Sequence, residues 1–178
     1  MLKKYLLLIL MSLMLCGCAT GASVDQMIPH GIPTLKPKNV SLANNITVNQ
    51  TLGGHETNPL WTSQISNANF KAALIQSLQQ ANLYHQFNGS GYALNATFVR
   101  LQQPFLGVSL TVRCTVNYVL ENLKTNKVIY SRRIATSYTA TFSDSPLATT
   151  RLRMANEGAA RENIKELITD LYQLKKSM

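Results

Sequence analysis

From Ser109 to Asn122 the chain alternates apolar and polar side chains almost without a break. Leu110, Val112, Cys114, Val116, Tyr118 and Leu120 fall on one side of an extended strand; Thr111, Arg113, Thr115, Asn117 and Glu121 fall on the other, with Val119 the exception. Strict period-two alternation over this length predicts a sheet with one face buried and one face in water. Tyr92, Leu94, Ala96 and Phe98 predict a similar strand before it. Val128, Tyr130, Ile134, Tyr138, Ala140 and Phe142 predict one after it, with Arg132 and Thr136 interrupting the pattern. Lys124-Thr125-Asn126-Lys127 reads as the polar hairpin loop between the last two. A further strand is expected over Asn39 to Asn49, broken at Asn44-Asn45.

Two stretches carry the helical period instead. Phe70, Ala73, Leu74, Ser77, Leu78 and Ala81 recur at three and four residues behind Ser66, a good N-cap, and predict a helix to about Asn82. Ile164, Leu167, Ile168, Leu171 and Leu174 form the stripe of a second helix, drawn from about Pro146 to Lys176. Its earlier turns are thin, with Ala155, Gly158, Ala159 and Ala160. A helix-interior glycine costs ~1 kcal/mol against alanine, so Gly158 points to a close approach. The order β-α-β-β-β-α predicts an α+β two-layer sandwich: a mostly antiparallel four-stranded sheet with both helices on its apolar face.

The first residues follow different rules. Lys3 and Lys4 precede an apolar run from Tyr5 to Leu15, interrupted only by Ser12. The run falls short of the ~20 residues that span a bilayer and has the length of a signal-peptide core. Leu15-Cys16-Gly17-Cys18 resembles the lipobox of bacterial lipoproteins, with Cys18 in register because the small Gly17 precedes it. The resemblance implies cleavage after residue 17 and acylation of Cys18. At ~0.8 kcal/mol per buried methylene, acyl chains there would anchor the protein stably. Ala19, where an aspartate would signal retention at the inner membrane, implies the periplasmic leaflet of the outer membrane. Residues 1–17 are thus expected to be a signal peptide, 18–38 a lipidated cysteine with a proline-rich tether, and 39–178 a single domain. The tether, with Pro29, Pro33 and Pro37, can extend. Alternatively, Met27, Ile28, Ile32 and Leu35 can pack on the domain as an arm; the sequence leaves both open.

Charge and chemistry narrow the function classes. Cleavage removes two of 17 basic residues and none of the 8 acidic ones, taking the net charge from +9 to +7. Cys114 is then the one unmodified thiol, so no intramolecular disulfide is expected, and its place on the apolar face makes it a small core group. His30, His55 and His85 lack metal-ligand spacing, and no metal or other cofactor is expected. The carboxylates are spread thinly and no nucleophile elbow is recognisable, so an enzyme is not expected, a cell-wall hydrolase being the residual case.

Two surfaces are candidates for binding. Trp61, the single tryptophan, stands in the loop after Gly53-Gly54, where it either grips a partner or staples the helix start. Arg113, Arg132 and Arg133 on strands, with Arg151, Arg153 and Arg161 on the second helix, are candidates for an anion-binding patch. Local pairs such as Arg153 with Glu157 account for part of that charge. An envelope protein, an anionic lipid or a glycan would be the partner; nucleic acid is not expected.

The segments ETNPLWTSQIS (Glu56 to Ser66) and RLRMANEGAAREN (Arg151 to Asn163), behind the lipobox, resemble those of small Gram-negative outer-membrane lipoproteins of the YajG and LptE-like kind. The resemblance implies a periplasm-facing accessory or assembly factor without catalytic residues.

Overall fold

The protein is represented by a computed structural model, which describes residues 19–32, 37–58, 62–86 and 91–175. Its elements are a short helix α1 (Val24–Met27), a single 3-10 turn (Val40–Leu42), β1 (Ile46–Leu52), α2 (Asn67–Gln80), β2 (Tyr92–Gln102), β3 (Leu110–Asn122), β4 (Lys127–Ala140) and α3 (Ala148–Gln173). The sheet order is β1-β2-β3-β4. β1 and β2 run parallel, joined by the α2 crossover; β2, β3 and β4 form an antiparallel meander. The expected α+β sandwich is observed, with α2 and α3 covering one face of the sheet.

β3 keeps the alternation read from its sequence: Leu110 through Leu120 on even numbers are buried, five of them completely, Cys114 among them. Burial pushes the Cys114 thiol up to about 12, so it stays protonated and inert at neutral pH. Ser66 caps α2 through its hydroxyl, which accepts from the Asn69 amide at 3.1 Å.

Three bulges move side chains off strict alternation. One, at Asn49, lets Thr51 turn inward to donate to the Asn67 carbonyl. A second lies at Val99 in β2. The third, at Ile129, turns Val128 outward, so it is exposed and not on the core face as its sequence pattern suggests. Phe142 likewise lies beyond β4 and is exposed. The first strand also moves: Val40 to Leu42 form the 3-10 turn, Asn44 takes a positive φ of 48°, and the strand starts only at Ile46. Left-handed backbone at Asn44 ends any extended ladder there, and asparagine tolerates it better than most residues.

The interruptions in β4 have a physical reason. Arg132 and Thr136 do face the helix layer, and α3 supplies polar partners for both. Arg132 bridges Glu166 at 2.7 Å and Asp170 at 2.5 Å, and the Thr136 hydroxyl donates to the Ala159 carbonyl. Between them, Asn163 of α3 reaches the middle of the sheet. Its amide nitrogen donates to the carbonyls of Cys114 and Ile134 and to Thr136, while its oxygen accepts from the Tyr118 hydroxyl at 2.9 Å. Tyr118 and Asn163 are both fully buried, and the network satisfies each of them. One turn earlier, Gly158 lies on the Tyr138 ring: a Cβ there would stand 2.2 Å from the ring carbon Cγ. Close approach is the reason for this glycine.

Residues 19–32 are not a free tether. Ala19, Ala22, Met27 and Ile28 are buried. The segment runs beside α3 in step with it: Arg153 donates to the Thr20 hydroxyl, Glu157 accepts from Ser23, and Arg161 donates to the Gln26 carbonyl. Farther on, the Lys38 amide donates to the Tyr172 carbonyl near the end of α3. The arm seals the groove between the two helices because Met27 and Ile28 join the core cluster there. Of the tether, Pro33 to Lys36 lie outside the described residues.

Two stability measurements check this packing. Gly158→Ala should lower the melting temperature by several degrees, since overpacking costs about 1–3 kcal/mol and each kcal/mol moves a domain of this size by about 2–4 °C. In a Tyr138→Ala background the same change should be neutral or stabilising; stabilisation in the native background would contradict the contact. Tyr118→Phe leaves a buried acceptor on Asn163 and should cost about 1–3 kcal/mol. It should also be non-additive with Asn163→Ala in denaturant unfolding, and additivity would show that the pair is not coupled.

Candidate binding surfaces

The helices cover one face of the sheet; among the described residues nothing covers the other. Its side chains come from alternate positions of all four strands, and the β2 bulge changes what it presents. Counting by twos from buried Phe98 would put Arg100 on the core side. The bulge at Val99 instead pairs Arg100 with Thr115, an outward residue. Arg113 follows two residues before Thr115 on β3, and Arg133 on β4 pairs with Asn117. Three guanidinium-bearing positions therefore surround Thr115, all three exposed, on a face whose neighbours are Gln102, Thr111, Ser131 and Ser137. No ion pair engages Arg100, Arg113 or Arg133 among the described residues. The one acidic residue on this part of β3 is Glu121, three outward positions from Thr115.

The relief of this face is shallow. Gln102, Arg113, Thr115 and Ser137 line one depression of about 340 Å³, and Gln102, Pro104, Thr111 and Arg113 line another of about 390 Å³, both open to solvent. Such a surface can hold an extended or flat partner through charge and hydrogen bonds. Arginine suits it because a planar fork of donors fits carboxylates and phosphates.

The remaining sequence candidates do not join this patch. Arg132, next to Arg133, points to the opposite face and is taken by Glu166 and Asp170. The same cluster includes Tyr130, whose hydroxyl donates to Asp170 at 2.6 Å; burial and the adjacent carboxylate push its ionisation well up. Arg151 is buried: its guanidinium donates to the carbonyls of Ser145 and Pro146 and lies over the Phe142 ring. Arg153 holds Thr20 and stands 3.7 Å from Glu157; Arg161 holds Gln26 and lies over Tyr138. A single six-arginine patch is therefore corrected to a three-arginine one, with Arg113 and Arg133 retained and Arg100 added. Cys18 and Trp61 lie outside the described residues.

The two distinctive sequence segments turn out to be joints of the fold. In Arg151 to Asn163, nearly every polar side chain binds the arm, a loop or the sheet, as described. Asn156 adds bonds to the Ser63 carbonyl and to Gln103. In Glu56 to Ser66, Thr57 and Gln64 bond to each other, Ser63 and Ile65 are fully buried, and Ser66 is the cap. Among the described residues no cluster of three His, Cys, Asp or Glu side chains could hold a metal ion, and no helix is long and apolar enough to cross a membrane.

No family model matches this sequence, and no curated protein matches it. Solved structures do. A Xanthomonas campestris protein of family DUF330 is 15% identical, over 86% of this chain and 93% of that one, with a TM-score of 0.54. PelC from Paraburkholderia phytofirmans, solved as a dodecamer, is 15% identical over 74% and 90%, with a TM-score of 0.48. A minor lipoprotein from Acinetobacter baumannii is 13% identical over 61% and 87%, with a TM-score of 0.46. Bacterial lipoproteins thus occur among the structural neighbours, and the likeness to the Xanthomonas protein is one of fold.

Proposed function

We propose that this chain is a lipid-anchored envelope protein of Gram-negative type, held at the periplasmic side of the outer membrane by Cys18, and that its domain is a non-enzymatic adaptor. In this reading the bare face of the sheet docks onto an acidic surface of another envelope component, as an accessory or assembly factor does. The observation that carries it is the exposed Arg100, Arg113 and Arg133 around Thr115, on a four-stranded face where no ion pair among the described residues neutralises them. The lipobox-like Leu15 to Cys18 supports the anchor. The filled core, with Asn163, Tyr118 and Cys114 all spent on packing, supports an adaptor over a hydrolase.

A second reading shares the same residues. Three arginines on a shallow polar surface would also hold a phosphate- or carboxylate-bearing lipid or glycan directly.

Affinity capture from detergent-solubilised envelopes separates the two. The docking reading predicts a protein partner recovered with the native chain and lost with Arg100→Glu/Arg113→Glu/Arg133→Glu, while the melting temperature is unchanged. A partner list identical for both chains, or no partner above a Cys18→Ala control, would remove it. The ligand reading predicts binding of purified lipopolysaccharide that weakens steadily with salt and disappears on the same charge reversal. Binding indifferent to both would clear this face of that role. Mass spectrometry of the N-terminal peptide tests the anchor itself and should find Cys18 acylated.

A further inference from the structure

Two loops leave the sheet at the same end. β2 ends at Gln102 and β3 begins at Leu110, so residues 103–109 lie there; β4 ends at Ala140 and α3 begins at Ala148, so residues 141–147 lie there too. Phe105 is 95% exposed, Leu106 82% and Val108 71%, with Phe142 and Leu147 also well exposed. Single exposed apolar residues are ordinary on a protein surface. Five from two adjoining loops at one end of a small domain are not. Buried Arg151 holds these loops together, donating to Ser145, to Pro146 and, at 3.5 Å, to the Gly107 carbonyl. Phe105, Leu106, Ala148 and Leu152 line a common hollow of about 170 Å³. Residues 103–109 contain no charged side chain, and the one in residues 141–147, Asp144, is engaged by the amide and hydroxyl of Thr141.

The arm says what this end meets. Thr20 is held by Arg153, Ser23 by Glu157 and Gln26 by Arg161, so going back along the arm leads toward the first turn of α3. Ala22 and Gly21 pack on Gln64, which bonds Gln103 at the start of the 103–109 loop. Ala19 is already buried in the body. Cys18 is the very next residue, one Cα step of ~3.8 Å away, and Thr20 on Arg153 puts the start of the described arm near the apolar end.

We propose that this end is a membrane-contact tip: Phe105, Leu106 and Val108, with Phe142 and Leu147 behind them, insert into the headgroup region of the bilayer beside the anchor. The inference rests on the proposed anchoring at Cys18, because a lipidated cysteine one residue from a buried one leaves no slack to hold the domain away from lipid. Apolar side chains typically sink ~5–10 Å at such a boundary. The strands then stand on end, the 123–126 hairpin points away from the lipid, and the arginine face looks sideways, where a partner can reach it.

Fluorescent labelling at depth tests the tip. The full chain is purified with one introduced cysteine at a time, Leu106→Cys, Thr125→Cys or Ser131→Cys, labelled with NBD while buried Cys114 stays unreacted, and reconstituted in phosphatidylethanolamine/phosphatidylglycerol vesicles containing nitroxide-labelled lipid. Position 106 should be quenched several-fold more than 125 and 131, and Phe105→Asp/Val108→Asp should bring it down to their level. Equal quenching at all three positions overturns the proposal. So does a blue-shifted label at 106 without nitroxide quenching, which would mean that a protein or a second copy covers the tip. Mass spectrometry of the same preparation reads Cys18. Acylation with an unquenched tip overturns the tip and leaves the anchor standing. A quenched tip on an unacylated chain, read with Cys18→Ser so that only the introduced cysteine carries label, does the reverse.

Discussion

Helix α3 has to serve two neighbours at once, and most of the molecule follows from how it does so. On its inner side Gly158 and the flanking alanines let the backbone come down onto Tyr138, and Asn163 then reaches carbonyls of two strands and the hydroxyl of Tyr118. A buried amide with every bond made is directional in a way that leucine packing is not, so the helix has one seat on the sheet. On its outer side Arg153, Glu157 and Arg161, at four-residue spacing, hold the arm in register. A slip of the helix by one turn would break both sets together. Because the inner seat is fixed, so is the path of the arm, and with it the point where the N-terminal chain leaves the body.

That coupling relates packing to function. With one helical layer on a four-stranded sheet, one face of the sheet is left uncovered among the described residues. In this chain that face is polar and basic, not apolar, which is why it can stay exposed in water. The end formed by residues 103–109 and 141–147 carries the opposite chemistry, apolar loops without free charge. Under the proposed function, these two surfaces at right angles would let lipid and an acidic partner be met at once, with the orientation set by the arm.

Much of the fold was legible because its core elements obey simple periods. β3 alternates over its whole length, and the α2 stripe behind Ser66 runs at helical spacing, so both were placed within a residue or two. The misplacements fall where one residue shifts the phase. The bulge at Ile129 turned Val128 outward without a strong sequence signature, whereas the left-handed Asn44 falls at the Asn44-Asn45 break that the sequence marked, and only the residues before it failed to form strand. The same limit hid Arg100. A break in alternation at Phe98-Val99-Arg100-Leu101 was the available signal, since leucine at 101 resumes the inward face only if one residue is skipped. Arg132 and Arg151 were misassigned for another reason: an arginine on a mixed α+β chain looks the same whether it faces water or a distant carboxylate, and their partners lie 34 or more residues away or on loop carbonyls. The two distinctive segments likewise gave no chemistry from sequence because most of their described polar residues bond to other parts of the fold, partners that lie far away along the chain.

The account stands on the arm being part of the body. Residue-resolved hydrogen exchange on the full chain in detergent micelles measures that directly. The amides of Ala22 and Ser23, donating to the Gln64 carbonyl and the Glu157 carboxylate, should exchange as slowly as amides in the middle of α3. Exchange at the rate of unstructured chain, while α3 remains protected, would contradict the fixed exit point and the orientation that follows from it.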